Sequence, residues 1–228
     1  MADSKVILEL FYIRHAESAG NTASALISGR DYPVDDPPLT ERGAEQAVLL
    51  GERMSRGTLD AVICSPLIRA VHTAHEIVKR QEGIRAELLP DLMETDTLPG
   101  TLGCCAQLLE ERFPLALPCR CEPTPAGGTL AMQPEDFKQK TARGKRCVNY
   151  IFSRFNSGER VAVVSHGGFF GFFMRCALGL PEEDIFRWSI NNTSVTKIKL
   201  YEDGTRKLSY SNDTSHLYAS SPDMTYTI

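Results

Sequence analysis

Val6-Ile7-Leu8-Glu9-Leu10-Phe11-Tyr12-Ile13 runs directly into Arg14-His15-Ala16-Glu17-Ser18-Ala19-Gly20-Asn21. The first half is dense in β-branched and aromatic residues and reads as a strand buried on most of its surface. The second half stops it abruptly, and an Arg-His pair at the tip of a buried strand needs partners or water. In open α/β sheets ligands bind just beyond the carboxyl ends of the strands. The chemistry of the chain is therefore sought at His15 and at whatever other segments converge on it.

Working outward, residues 20–38 form a loop punctuated by Gly29, Pro33, Pro37 and Pro38. Thr40 caps a helix running to about Arg56, with Glu41 in its first turn and Gly57 just past its end. Ala61-Val62-Ile63-Cys64 is a short strand, and Ser65-Pro66 supplies an N-cap and a first helical residue for a helix through Lys79-Arg80. Ile84 to Leu89 is a third strand ending at Pro90-Asp91-Leu92-Met93-Glu94. From Thr95 to Leu130, five prolines and four glycines break the pattern around one helical piece near Thr101 to Arg112. Loops this long in compact domains are usually functional or disordered, and this one is expected to be an inserted cap over about 95–131. A long helix follows from about Pro134 to Phe155. Arg160 to Ser165 is a strand feeding His166-Gly167-Gly168 and a helix to about Leu178. Ser194 to Leu200 and Lys207 to Ser211, around Asp203-Gly204, form a closing hairpin. Strands alternating with helices predict a three-layer α/β/α fold with a mostly parallel central sheet and an antiparallel edge strand.

With 228 residues, the chain suits one domain, 1–228, carrying the cap as an insertion. Its charges are mixed at a formal −4 with no basic stripe, which points away from nucleic acid and anionic membranes. Met1 to Lys5 lacks the form of a signal peptide. The apolar stretch Val161 to Leu180 is interrupted by His166, Gly167, Gly168 and Arg175, so no membrane span is expected. Seven cysteines, an odd number, suit reduced thiols in a cytoplasmic protein. Cys104-Cys105 and Cys119-x-Cys121 lack zinc spacing, while Cys64, Cys147 and Cys176 fall in apolar patterns. His72 and His75 lie three apart on a helix without a third ligand nearby. No metal and no cofactor are expected, and nothing in the sequence sets an oligomeric state.

Four predicted strands end in polar groups: Arg14-His15, Ser65 to Arg69, Glu94, and His166-Gly167. In a parallel sheet those tips share one edge, and two arginines, two histidines and a carboxylate suit a dianion undergoing transfer. Guanidinium forks match phosphate geometry, and helix N-termini after Ser65 and His166 add oriented N–H groups. The same stretches carry a family resemblance. RHAESAGN at 14–21, PPLTERGAEQA at 37–47, SPLIRAVHTA at 65–74, LMETD at 92–96 and VSHGGF at 164–169 stand in the order found in the histidine phosphatase superfamily, phosphoglycerate mutase-like branch. NNTSVT at 191–196 and NDTSHL at 212–217 resemble the end of its short members.

The resemblance implies that His15 is a nucleophile carrying a phosphoryl group, with Arg14, Arg69 and His166 holding the phosphoryl oxygens. The neighbouring cations should push His15 below its reference value of about 6.5 and keep it neutral for attack. Glu94 would serve as general acid and then base, with Asp96 or Glu17 as alternatives. Asn21, Ser18, the Gly167 amide and Arg30 are candidate substrate contacts. Ala16 stands where glycine is commoner. After Glu94, Thr95 to Gly100 lacks the aromatic-acidic-glycine pattern of the family and the tyrosine of true mutases. The cap also lacks a mutase's paired arginines. These departures favour a metal-independent phosphatase acting on small phosphate monoesters over a phosphoglycerate-type mutase. A non-catalytic phospholigand-binding protein is the alternative from another class.

Overall fold

The computed structural model describes residues 4–21, 36–95, 110–117, 134–181 and 188–218. In chain order the regular elements are β1 (Val6–Arg14), α1 (Glu41–Met54), β2 (Ala61–Cys64), α2 (Ile68–Val78), β3 (Ala86–Leu88), β4 (Ala116–Leu117), α3 (Phe137–Arg154), β5 (Glu159–Ser165), α4 (Gly167–Leu178), β6 (Val195–Tyr201), β7 (Arg206–Asp213) and the single turn α5 (Ser215–Tyr218). The strands form one sheet in the order β4-β3-β2-β5-β1-β6-β7. Strands β1 to β5 run parallel, and β6 and then β7 are added antiparallel at one edge.

Alternation along the strands sorts their side chains onto two faces. Phe11, Ile13, Val62, Cys64, Ala162 and Val164 pack with Leu50 and Met54 of α1 and with Ala70, Val71, Ala74 and Ile77 of α2. Leu8, Leu10, Tyr12, Ile63, Val161 and Val163 pack with Cys147, Val148 and Ile151 of α3 and with Phe169, Phe170 and Phe173 of α4. The expected three layers follow from that division. Because β1 and β5 are covered on both faces, their sequences are nearly continuous in apolar residues.

Thr40 caps α1 as expected, its hydroxyl accepting from the Gly43 N–H. Asp136 and Gln139 form a reciprocal capping box on α3, which opens three residues later than Pro134. The start of α2 corrects the sequence expectation. Ser65-Pro66 does not open the helix; Leu67 is the N-cap position, with no side-chain cap of its own. The first helical N–H, at Ile68, is instead bound by Asp36 Oδ2 at 2.8 Å. Strand β3 is shorter than expected. The predicted cap region contributes β4, two residues that pair with β3 and extend the sheet. The rest of 96–109 and all of 118–131 lie outside the described residues, including Cys104, Cys105, Cys119 and Cys121. Among the described residues no helix is long and apolar enough to cross a membrane.

Candidate active site

The tips of β1, β2, β3 and β5 lie side by side because those strands are parallel neighbours in the sheet. This brings His15 and His166 together, with ring centroids 5.0 Å apart and planes tilted by 58°. The two backbones are joined as well, since the His15 N–H donates to the Ser165 carbonyl at 2.9 Å.

His15 is 2 % exposed. Its Nδ1 lies 2.7 Å from the Ala16 carbonyl oxygen, which can only accept. The proton of the neutral ring therefore sits on Nδ1, and Nε2 presents a lone pair. That lone pair faces Arg69, whose Nε–H donates to it at 3.3 Å. Burial, then the charges of Arg69 and Arg14, hold His15 well below the ordinary histidine range. His166 is fully buried, and burial with the charges of Arg69 and Arg14 depresses it in the same direction. Its Nε2 is 2.7 Å from Ser65 Oγ. Ser65, which looked like a helix cap, thus orients a histidine from the neighbouring strand.

Arg14 donates through Nη1 to the Ile190 carbonyl at 2.6 Å. Arg14 Nε and His166 Nδ1 are buried without a hydrogen-bond partner among the described residues. Such groups are costly unless something polar meets them, and an anion between the histidines would do so. Gly167, the first residue of α4, lies against Arg14; a Cβ there would sit 3.2 Å from its Nε. Arg69 extends Nη1 to Asp36 Oδ1 at 3.3 Å. Burial pushes Asp36 up to about 6, against the opposing Ile68 N–H and Arg69 charge.

Glu94 reaches the start of α4. Its Oε2 accepts from the Gly168 N–H at 3.1 Å, and its Oε1 accepts from the Thr95 N–H at 2.8 Å. A carboxylate at a helix N-terminus is well placed electrostatically. A Cβ at 168 would lie 2.6 Å from both Glu94 Oε1 and Thr95 Oγ1, so any larger residue there would displace the Glu94 carboxylate. The segment is fixed from behind by Arg143, which is 2 % exposed. Arg143 donates to the Met93 and Asp91 carbonyls at 2.6 and 2.9 Å, pairs with Glu135 and stacks over Phe169.

The remaining candidates are placed as follows. Glu17 is turned away to Thr40 Oγ1 at 2.8 Å and to Arg42 at 3.5 Å, so its carboxylate braces the start of α1. Ser18 and Asn21 bond one another, with Asn21 Oδ1 accepting from the Ser18 hydroxyl and N–H and from Asn192 Nδ2. Arg30 and Asp96 lie outside the described residues. His72 and His75 pack on Phe113 at centroid distances of 5.3 and 5.5 Å. Among the described residues no group of three or more His, Cys, Asp or Glu is arranged to hold a metal ion. Cys64 and Cys147 are buried, and Cys176 is half-buried.

Asp36, Ser65 and Arg143 were missed as site residues by sequence reasoning. For Asp36 there was no signal beyond a carboxylate preceding Pro37-Pro38. Arg143 differs: an arginine on the apolar side of an amphipathic helix was visible as an anomaly.

Comparison with known proteins finds relatives along most of the chain. The chain is 26 % identical over 196 residues to an adenosylcobalamin/alpha-ribazole phosphatase of Salmonella typhi, covering 86 % of this chain and 92 % of that protein. A 73-residue stretch is 42 % identical to phosphoserine phosphatase 1 of Hydrogenobacter thermophilus, 32 % of each chain. The fold superposes on a mycobacterial glucosyl-3-phosphoglycerate phosphatase with a TM-score of 0.63 at 22 % identity, over 90 % of this chain and 99 % of the other. A family model described as histidine phosphatase superfamily (branch 1) matches residues 10–213. The chain belongs to the histidine phosphatase superfamily.

Proposed function

We propose that this chain is a phosphoric monoester hydrolase working through a phosphohistidine on His15 Nε2, without a metal ion. The observation that carries the reading is the fixed tautomer of a buried neutral ring: Nδ1–H is bound to the Ala16 carbonyl, and Nε2 is aimed at the Arg69 guanidinium. In the first step the Nε2 lone pair attacks phosphorus and the bond to the leaving oxygen breaks. Glu94 gives its proton to that oxygen. Arg14, Arg69 and His166 carry the charge spread over the phosphoryl oxygens, the role a metal takes in other phosphoryl-transfer sites. In the second step Glu94, now a carboxylate, takes a proton from water. The water oxygen attacks phosphorus, the P–N bond breaks, and inorganic phosphate leaves. Acid–base help of this kind is typically worth about 10²- to 10⁴-fold.

Relatives named as phosphatases of small phosphorylated compounds support a substrate of that class. Pairing of β4 with β3 supports one domain into which the segment 95–131 is inserted. The buried free thiol of Cys147 supports a reducing, cytoplasmic setting. The test is hydrolysis of 4-nitrophenyl phosphate in excess chelator by the wild type and by His15→Ala. Turnover persists with chelator and is lost in the variant. Loss of wild-type activity on chelation overturns the metal-free reading, and an active His15→Ala overturns the phosphohistidine.

A further inference from the structure

At the main-chain carbonyls of Arg14 and His15, the last part of the chain forms a directed series of hydrogen bonds. Thr193 has a φ of +54°, a left-handed conformation that a β-branched residue adopts only when its surroundings impose it. Its N–H donates to the Arg14 carbonyl at 3.0 Å and to the His15 carbonyl at 3.3 Å. Asn192 Nδ2 donates to the same His15 carbonyl at 2.8 Å. The main chain that carries both residues is therefore gripped by one strained turn.

That turn is tied to the single-turn helix α5. His216 Nε2 lies 3.2 Å from Thr193 Oγ1, and His216 Nδ1 lies 3.2 Å from Arg53 Nη1 of α1. A guanidinium only donates, so Nδ1 accepts and the ring proton is on Nε2. Nε2–H then donates to Thr193 Oγ1, and the threonine proton goes to the Asn192 carbonyl at 2.8 Å. Every proton in the series has one place. Burial, then the charge of Arg53, push His216 down to about 4 against the opposing Asp213, so the ring is neutral across the neutral range.

We propose that His216 is a positioning residue: it holds Thr193 in the left-handed turn and thereby sets the backbone of Arg14 and His15 for attack. This rests on the phosphatase reading above. The experiment compares His216→Ala, His216→Gln, Thr193→Gly and the double variant Thr193→Gly/His216→Ala on 4-nitrophenyl phosphate, with melting temperatures for each. Glutamine can place an amide N–H where Nε2–H stands, and glycine takes a positive φ without needing the tie. His216→Ala should lower kcat about tenfold with KM within about twofold. Glutamine should restore most of that loss. In the Thr193→Gly background, His216→Ala should cost less than about twofold. A wild-type kcat in His216→Ala, a glutamine variant no better than alanine, or an undiminished loss in the glycine background overturns the proposal. If His216→Ala does not fold, an active glutamine variant and a folded double variant support it, and an inactive or unfolded pair overturns it. Absence of turnover in the wild type removes the phosphatase reading instead. The tie is then read from the His15 ring resonances, which His216→Ala should shift and His216→Gln should leave in place.

Discussion

Gly168→Ala separates the acid from the rest of the machinery. A Cβ at 168 would lie 2.6 Å from Glu94 Oε1 and 3.1 Å from its Cδ. Carbon–oxygen contacts close to roughly 3.3 Å, so the carboxylate must withdraw by about 0.7 Å, beyond the roughly 0.5 Å within which catalytic groups must be held. The bond from the Gly168 N–H to Oε2, now 3.1 Å, goes with it. A hydrogen bond to a charged group is worth about 1.5–3 kcal/mol, which at about 1.4 kcal/mol per decade is roughly 10- to 100-fold in rate. Helix propensity offsets only part of that loss: alanine is better than glycine inside a helix by about 0.5–1 kcal/mol, so the net cost of about 0.5–2.5 kcal/mol should lower the melting temperature by roughly 1–10 °C. The assay is kcat/KM for an alkyl phosphate and for 4-nitrophenyl phosphate, beside a thermal melt. The alkyl ester needs a proton on its leaving oxygen and should lose about 10- to 100-fold; the aryl ester should lose far less. An equal loss on both substrates would mean that the methyl merely blocks the pocket. No loss on either would remove Glu94 from the acid role.

Two other perturbations test the surroundings. Asp36 is pushed up to about 6 mainly by burial, so the folded chain binds its proton more tightly than the unfolded one, and its contribution to stability falls as pH rises from about 4 to 6. Asp36→Asn should therefore gain melting temperature relative to the wild type across that window and hold the gain above it, and should bind orthovanadate more tightly above pH 6, where Arg69 no longer faces a carboxylate; a flat difference in melting temperature contradicts the burial argument. Arg143→Met leaves Glu135 and two buried carbonyls without their donor, at about 3–5 kcal/mol for a broken buried pair. The melting temperature should fall by roughly 6–20 °C; a loss near zero would mean that Arg143 does not anchor the Glu94 segment.

Local chemistry explains which elements could be read in advance. Val6 to Ile13 and Arg160 to Ser165 are strands because side chains on both faces must be apolar, and such runs are visible without any partner. Thr40 and its spacing to Gly43 mark the start of α1 for the same reason, since a cap is made within four residues. Ser65-Pro66 misled for an instructive reason. Its cap signal is real as local chemistry, but Ser65 Oγ is engaged by His166, 101 residues away, and Asp36 supplies the acceptor for the first helical N–H. Strand β4 escaped notice because two residues carry no periodicity.

The sequence by itself determined that four strand tips bear arginine, histidine and carboxylate groups, because strand patterns and polar stops are local properties. Only the tertiary structure decided how those groups are held. The approach of Arg69 to the His15 ring, the withdrawal of Glu17 to Thr40, the clamp of Arg143 on Met93 and the link of His216 to Thr193 all join residues at least 23 positions apart. Hydrogen bonds of that kind exist only once the sheet has closed, and no pattern along the chain encodes their geometry.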